Sequence, residues 1–116
     1  MSEDSSVRKM LLIIVEDVDR WQGQPLHEAI LRMLLRRGIA GATVWTGIAG
    51  YGAGGRLHRR GLFGVSDEKP VIIAAVDEEE KLRAAVPLIL PMVSGGLVLL
   101  QDVEVCTLED AHSRDQ

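Results

Sequence analysis

Two unbroken apolar runs, each of strand length, stand out along the chain. The first lies between Lys9 and Glu16, and the second spans Val71–Val76 directly after Pro70. Continuous apolar runs of this length are typical of strands that are covered on both faces. They therefore predict the two central strands of a sheet.

Two further segments have a weaker strand pattern. Ala42–Ala49 alternates between two mixed faces, which indicates an edge strand, and Leu97–Val105 predicts the fourth strand. The segment between the second and third strands, about residues 51–69, is a long loop that begins with several glycines. Loops longer than roughly 12–15 residues are uncommon in compact domains and are often functional.

Helical spacing of apolar residues predicts one helix before the second strand and one before the fourth. After a loop at residues 17–23, the first helix is expected to begin with Pro25 at its first helical position and to end at Gly38. Leu26, Ile30 and Leu34 form its buried stripe.

Asp77 is expected to be the N-cap of the second helix, with Glu80 completing a capping-box pattern. Pro87 and Pro91 are expected to kink this helix or to break it near Pro91. The segment 94–96 ends the helical pattern.

The resulting order, β-α-β-β-α-β, predicts an α+β protein with a ferredoxin-like sandwich in residues 9–105. The expected sheet is antiparallel and four-stranded, with two helices on one face. We expect its first and third strands to be central and parallel to each other. Residues 1–8 are expected to be a disordered tail, and residues 106–116 a polar tail.

The apolar character of the central strands also predicts an oligomer. Two helices cover only one face of such a sheet, yet both central strands are apolar on both faces. A large exposed apolar surface usually marks an interface. We therefore expect a homo-oligomer that packs the open sheet face inward.

Composition narrows the class of protein. A length of 116 residues predicts one domain, and the low aromatic content of 3% predicts an aliphatic core. The net charge of −4 argues against nucleic-acid binding, which needs a basic surface. The single cysteine, Cys106, and an acidic N-terminus unlike a signal peptide predict a bacterial-type cytoplasmic protein. No apolar run approaches the ~20 residues that span a bilayer.

Three glycines, Gly50, Gly52 and Gly55, satisfy the G-x-G-x-x-G pattern of dinucleotide-binding proteins. That function requires a helix directly after the glycines, and the segment 56–64 has no helical apolar period. Two interpretations remain: a flexible loop entry, or a turn whose backbone N–H groups hold an anion. The basic residues that follow are either an anion-binding group or a solvated loop tip.

Other kinds of site have little support. The histidines and Cys106 are scattered without metal-ligand spacing, and no nucleophile stands with a base. We therefore predict no catalytic residue, no metal site and no required cofactor.

The segment from Gly38 to Glu80 resembles PII-like signal-transduction proteins, in particular the branch catalogued as domain of unknown function 190. The resemblance rests on the run Gly-Ile-Ala-Gly-Ala-Thr-Val, the Gly-Tyr-Gly turn, the basic loop with a histidine, the Pro-led apolar strand and the Asp-led helix. It extends over roughly residues 9–105.

This resemblance implies a non-enzymatic regulatory homotrimer. Small effectors, commonly adenine nucleotides, would bind in clefts between subunits, and the long loop would contact a partner protein such as a membrane transporter or channel. The expected effector-binding residues are Thr43, Gly50, Gly52, Arg56, His58, Gly95 and Gly96. The expected partner-binding residues of the loop are Arg59, Arg60, Leu62 and Phe63.

The chain departs from the PII pattern in two places. Ser94-Gly95-Gly96 stands where PII proteins have a Gly-Asp-Gly-Lys-like phosphate loop, and no basic residue follows the fourth strand within 105–109. The charge for an anionic effector would therefore have to come from Arg56, Arg59 or Arg60. The alternatives are a CutA-like trimeric metal-responsive protein and an enzyme that uses the cleft between subunits.

Overall fold

The computed structural model describes residues 7–50 and 68–106. Its elements are, in chain order, β1 (Arg8–Glu16), β2 (Arg20–Trp21), β3 (Gln24–Pro25), α1 (Leu26–Arg36), β4 (Ala42–Thr46), β5 (Pro70–Glu78), α2 (Glu79–Ile89) and β6 (Leu97–Asp102). Four strands form one sheet in the order β4-β5-β1-β6, while β2 and β3 form a small separate hairpin. The predicted ferredoxin-like sandwich is confirmed.

The two apolar runs are the central strands, β1 and β5, as predicted. They pair antiparallel, with Ile13 opposite Ile73, so the prediction that they run parallel is wrong. Each crossover makes the strands it joins parallel, namely β1 with β4 and β5 with β6. Because β5 is the antiparallel neighbour of β4, it must also run against β1.

Alternate residues of the central strands face the two helices and form the core. Leu11, Ile13 and Ile73 are completely buried there, and Leu82 and Ile89 of α2 are buried with them. Each such side chain contributes about 1.5–3 kcal/mol relative to an exposed one. The remaining core residues are Val15, Leu26, Ile30, Leu34, Ile39, Val71, Ala75 and Ala85.

Helix α1 begins one residue later than predicted and ends where predicted. Pro25 is its N-cap, with φ −59° and ψ 135°, rather than its first helical residue. At the other end Gly38 has φ +80°. The N–H of Ile39 donates to Leu34 O at 3.1 Å and the N–H of Gly38 donates to Leu35 O at 3.0 Å, which is a Schellman motif.

The predicted N-cap of α2 is wrong. Asp77 is buried in β5, and the N-cap is Glu78, whose side chain makes no capping hydrogen bond. The helix ends at Ile89, before Pro91, and includes Pro87 in its last turn. A short turn follows, in which the N–H of Met92 donates to Ile89 O at 2.8 Å.

Both edge strands end earlier than predicted because their partners stop supplying hydrogen-bonding groups. Strand β4 ends at Thr46: the N–H of Gly47 still donates to Pro70 O, but proline has no N–H to return the bond. Strand β6 ends at Asp102, opposite Lys9, close to where β1 itself begins.

The hairpin of β2 and β3 replaces part of the loop predicted at residues 17–23. Gln22 has φ +51° and Gly23 has φ +83°, the two left-handed residues of a type I′ turn. Glutamine is an unusual residue at that position, so the usual Asn-Gly signal is missing. Trp21 of this hairpin packs against the core. Within residues 7–50 and 68–106, no helix has the length and apolar character needed to cross a membrane.

Candidate functional site

The described ends of the long segment between β4 and β5 meet at one end of the sheet, here called the loop end. The N–H of Gly47 donates to Pro70 O at 2.7 Å. Beside it, the N–H of Asp17 donates to Lys69 O at 2.9 Å, and the N–H of Lys69 donates to the Asp17 carboxylate at 3.2 Å. The scaffold therefore fixes the points at which the chain leaves and re-enters the sheet.

Close packing explains one glycine at this end and leaves another unexplained. A Cβ on Gly47 would lie 2.7 Å from Cγ of Pro70, which is too close. A Cβ on Gly50 would lie 3.7 Å from the same atom, an ordinary contact. The described neighbours therefore do not require glycine at position 50, and its effector-binding role stays a prediction.

The turn before β6 brings a second pair of predicted effector residues to the loop end. Gly95 has φ +84°, and a Cβ on Gly96 would lie 2.5 Å from Ile14 O. Gly50 lies near Pro70 of β5, and Gly96 lies against Ile14 of β1. Because β1 and β5 are paired, the two glycines lie beside adjacent central strands. Backbone packing alone accounts for glycine at position 96, and its contact with an effector stays a prediction.

Thr43 lies on the sheet face that the helices leave open. Its neighbour on that face, Trp45, is 48% exposed, and Trp45 was not among the predicted site residues. The register of the four strands makes this face almost wholly apolar. Besides Thr43 and Trp45, its central residues are Met10, Leu12, Ile14, Ile72, Ala74, Val76, Leu97, Leu99 and Gln101, and the charged residues Arg8, Glu16 and Glu78 lie at its ends.

The described side chains at the loop end carry more negative than positive charge. Asp19 accepts the N–H of Glu16 at 3.0 Å, and Asp17 binds the backbone of Lys69 as above. The basic residues beside them in the sequence are Arg20, which follows Asp19, and Lys69, which precedes Pro70. The described residues at this end therefore offer an anion backbone N–H groups rather than a cluster of basic side chains.

Seven of the predicted site residues lie outside the described ranges, namely Gly52, Arg56, His58, Arg59, Arg60, Leu62 and Phe63. Among the residues that the structure does describe, no cluster of three or more His, Cys, Asp or Glu side chains could hold a metal ion.

Asp77 binds backbone groups at the opposite end of the sheet. Its carboxylate accepts the N–H of Ala40 at 2.8 Å and that of Glu78 at 2.7 Å. The ammonium group of Lys81 lies 3.8 Å from the same carboxylate and donates to Gly38 O at 3.2 Å. Asp77 therefore ties the segment before β4 to the end of β5, a role that its position before a helix concealed.

A second ion pair at this end joins two strands. Lys9 of β1 donates a hydrogen bond to Asp102 of β6. This hydrogen bond, together with the positive charge of Lys9, lowers the pKa of the Asp102 carboxyl below its ordinary value of 3.8.

Comparison with known proteins gives one family and several relatives. The model of the DUF190 family, described as "Uncharacterized ACR, COG1993", matches residues 8–105. A UPF0166 protein of Aquifex aeolicus is 35% identical over 104 residues, which cover 87% of this chain and 95% of that protein. A UPF0166 protein of Methanocaldococcus jannaschii is 36% identical over 98 residues, covering 84% and 90%.

Two solved structures share the fold. CPII from Thiomonas intermedia K12, bound to ADP and bicarbonate, superposes with a TM-score of 0.58 at 25% identity and covers 84% of this chain and 87% of that one. PII of Arabidopsis thaliana, bound to citrate, has a TM-score of 0.59 at 17% identity, covering 91% and 87%.

Proposed function

This chain belongs to the DUF190 family of PII-like proteins, and on that premise we propose that it is a non-enzymatic regulatory protein. It assembles as a homotrimer, binds a small anionic effector of the adenine-nucleotide class in clefts between subunits, and contacts a partner protein through its long loop. The observation that carries the proposal is the apolar open face of a PII-like sheet. The ADP and bicarbonate bound by the Thiomonas protein support the effector class.

The open face supports the assembly because it has no covering layer within the described chain. Trp45 is 48% exposed, Leu97 49% and Leu99 39%, although all three are large apolar residues. Burying such side chains against copies of the same face contributes about 1.5–3 kcal/mol for each one fully buried. A closed ring of three subunits would bury all three copies of the face together.

Light scattering coupled to size-exclusion chromatography tests the assembly. The measured mass of the unmodified chain should be three times that of the protomer. Leu99→Asp and Trp45→Asp should each shift the population towards monomer. Leu88→Asp is the matched control, because Leu88 is similarly exposed on helix α2 at 43%. A monodisperse monomer of the unmodified chain at micromolar concentration would refute the trimer.

Thermal-shift measurements with ADP, AMP, ATP, cyclic nucleotides, bicarbonate and divalent metals test the effector. We expect stabilisation by an adenine nucleotide, of about 2.7 kcal/mol at a ligand concentration one hundred times Kd. A shift with a divalent metal and with no nucleotide would instead favour the CutA-like alternative.

Two sets of variants locate the effector. Thr43→Val should weaken the nucleotide response, whereas Thr46→Val, on the opposite face of the same strand, should leave it unchanged. Replacing Arg56, Arg59 and Arg60 together by Gln should abolish the response while the trimer persists. An unchanged response would remove these arginines from the site.

A further inference from the structure

Helix α1 has a second apolar row, Leu31 and Leu35, of which only Leu31 packs against the core. Leu34 is buried, but Leu31 is only half-buried and Leu35 is 76% exposed. Leu31 and Leu35 are four residues apart and therefore lie on one side of the helix. Leu35 is the most exposed leucine among the described residues, and a row of this kind on a surface helix indicates a contact surface.

The Leu31–Leu35 row borders a groove of about 270 Å³, here called the α1 groove. The groove lies between the last turns of α1 and the segment that leads into β4. Its lining is mostly apolar and consists of Leu31, Arg32, Leu34, Leu35, Ile39 and Ala40–Ala42. The hydrogen bond from Ala40 to the buried Asp77 carboxylate fixes its floor.

Basic residues lie in and next to the α1 groove, although the net charge of the chain is negative: Arg32 lines the groove, and Arg36 and Arg37 directly follow its lining residue Leu35. Arg32 binds Gln24 and lies 3.9 Å from Glu28. Arg36 and Arg37 are exposed, and neither forms an ion pair with any residue in 7–50 or 68–106. The helix dipole favours basic residues at a C-terminus, but it does not account for an exposed leucine beside them.

We propose that the α1 groove is a docking site for an acidic segment of another protein, with one apolar side chain seated against Leu35 and carboxylates facing Arg36 and Arg37. The concave shape fits a single anchoring side chain, whereas a membrane-bound helix presents a broad apolar face. This surface lies at the end of the sheet opposite the loop end, and it does not depend on the proposed effector site.

Fluorescence anisotropy with labelled octapeptides tests the docking site. A peptide that alternates Glu and Leu should bind, and raising NaCl from about 50 mM to about 300 mM should weaken it because surface charges are screened. Peptides that alternate Lys with Leu or Glu with Ser should bind at least about tenfold more weakly, since each lacks one of the two features that the groove recognises.

Matched variants locate the binding. Leu35→Asn should weaken binding of the Glu-Leu peptide at least about tenfold, the loss expected when one leucine contact disappears. Leu88→Asn, a substitution of a leucine that is 43% exposed on α2, should leave binding unchanged. Arg36→Gln combined with Arg37→Gln should weaken binding and remove most of its salt dependence, and Arg8→Gln is the control for charge.

Several results would overturn the proposal. One is an equal loss of Glu-Leu peptide affinity in Leu35→Asn and Leu88→Asn. The others are binding of the Lys-Leu peptide as tight as that of the Glu-Leu peptide, and no binding of the Glu-Leu peptide at all. Leu35-dependent flotation with vesicles of phosphatidylcholine and phosphatidylserine, without peptide binding, would indicate a membrane surface. A fall in assembly mass caused by Leu35→Asn would indicate a second copy of the chain. Thr43→Val should not affect peptide binding, so a failure of the effector proposal can be distinguished from a failure of the docking proposal.

Discussion

Substitution of Asp77 separates two structural roles that predict different outcomes. If Asp77 were a helix N-cap, Asp77→Asn would be nearly neutral, since asparagine and aspartate are equally good caps. In the structure both carboxylate oxygens accept backbone N–H groups, from Ala40 and Glu78. An asparagine side chain has one acceptor oxygen, and its NH₂ group would face the other backbone N–H.

The magnitude follows from the bonds that are lost. A buried donor left without a partner costs about 1–3 kcal/mol. Asp77 is 4% exposed, but Ala40 is at the surface, where water replaces part of the lost bond. We expect Asp77→Asn to lower the free energy of unfolding by about 1–2 kcal/mol, and Asp77→Ala by about 2–4 kcal/mol, because the alanine variant loses both bonds.

Urea unfolding followed by circular dichroism measures this loss, at one protomer concentration because assembly contributes to stability. Hydrogen exchange adds a local measurement: the amides of Ala40 and Glu78 should exchange faster in both variants. Glu80→Gln is the control. The capping-box role assigned to Glu80 by the sequence would make it matter, whereas the structure predicts a change within about 0.5 kcal/mol.

One result would refute this reasoning directly. If Asp77→Asn unfolds at the same urea concentration as the unmodified chain and Asp77→Ala loses only about 1 kcal/mol, the capping role is correct. The tie between β5 and the segment before β4 would then contribute nothing measurable.

Two other predictions concern acid stability and backbone packing. The lowered pKa of Asp102 means that its pairing with Lys9 stabilises the fold above pH 3.8, the ordinary pKa, and that this contribution disappears as the pH falls through the lower folded-state pKa. Asp102→Asn should therefore be less stable than the unmodified chain at pH 7. The urea midpoints of the two proteins should converge as the pH falls towards about 2. A constant difference between the two midpoints at every pH would contradict this. Gly96→Ala should destabilise the fold by about 1–3 kcal/mol because its Cβ would collide with Ile14 O. Gly41→Ala should be neutral, because no atom of the described residues lies within 4 Å of a Cβ at that position. Equal midpoints for the two alanine variants would refute the packing argument.

Periodicity predicted the sheet and its core because burial depends on side-chain type. The apolar runs in β1 and β5 became the central strands, and Leu26, Ile30 and Leu34 became the buried stripe of α1. Local sequence does not predict the role of a residue whose hydrogen-bond partners lie far along the chain. Asp77 looks like a cap in its local context, yet its partner Ala40 is 37 residues away.

The candidate site was less predictable for the same reason. The pattern identified glycines, but only the fold shows that Gly96 lies against the backbone of Ile14 whereas Gly50 has room for a Cβ. For Trp45 the sequence predicts only a place in a mixed edge strand, since its exposure on the open face depends on the register with β5. The groove lined by Arg32 and Leu35 likewise depends on the path of the chain after α1.

The closure of the loop end has a consequence for how this scaffold can diversify. The bonds from Gly47 to Pro70 and between Asp17 and Lys69 hold the two stems of the long segment together whatever lies between them. In general, doubling the length of a connecting segment adds only about 0.6 kcal/mol of closure entropy. Insertions, deletions and substitutions between positions 51 and 67 should therefore change the stability of the sheet very little. Relatives of this protein can therefore differ in the length and sequence of that segment while the same sheet continues to fold.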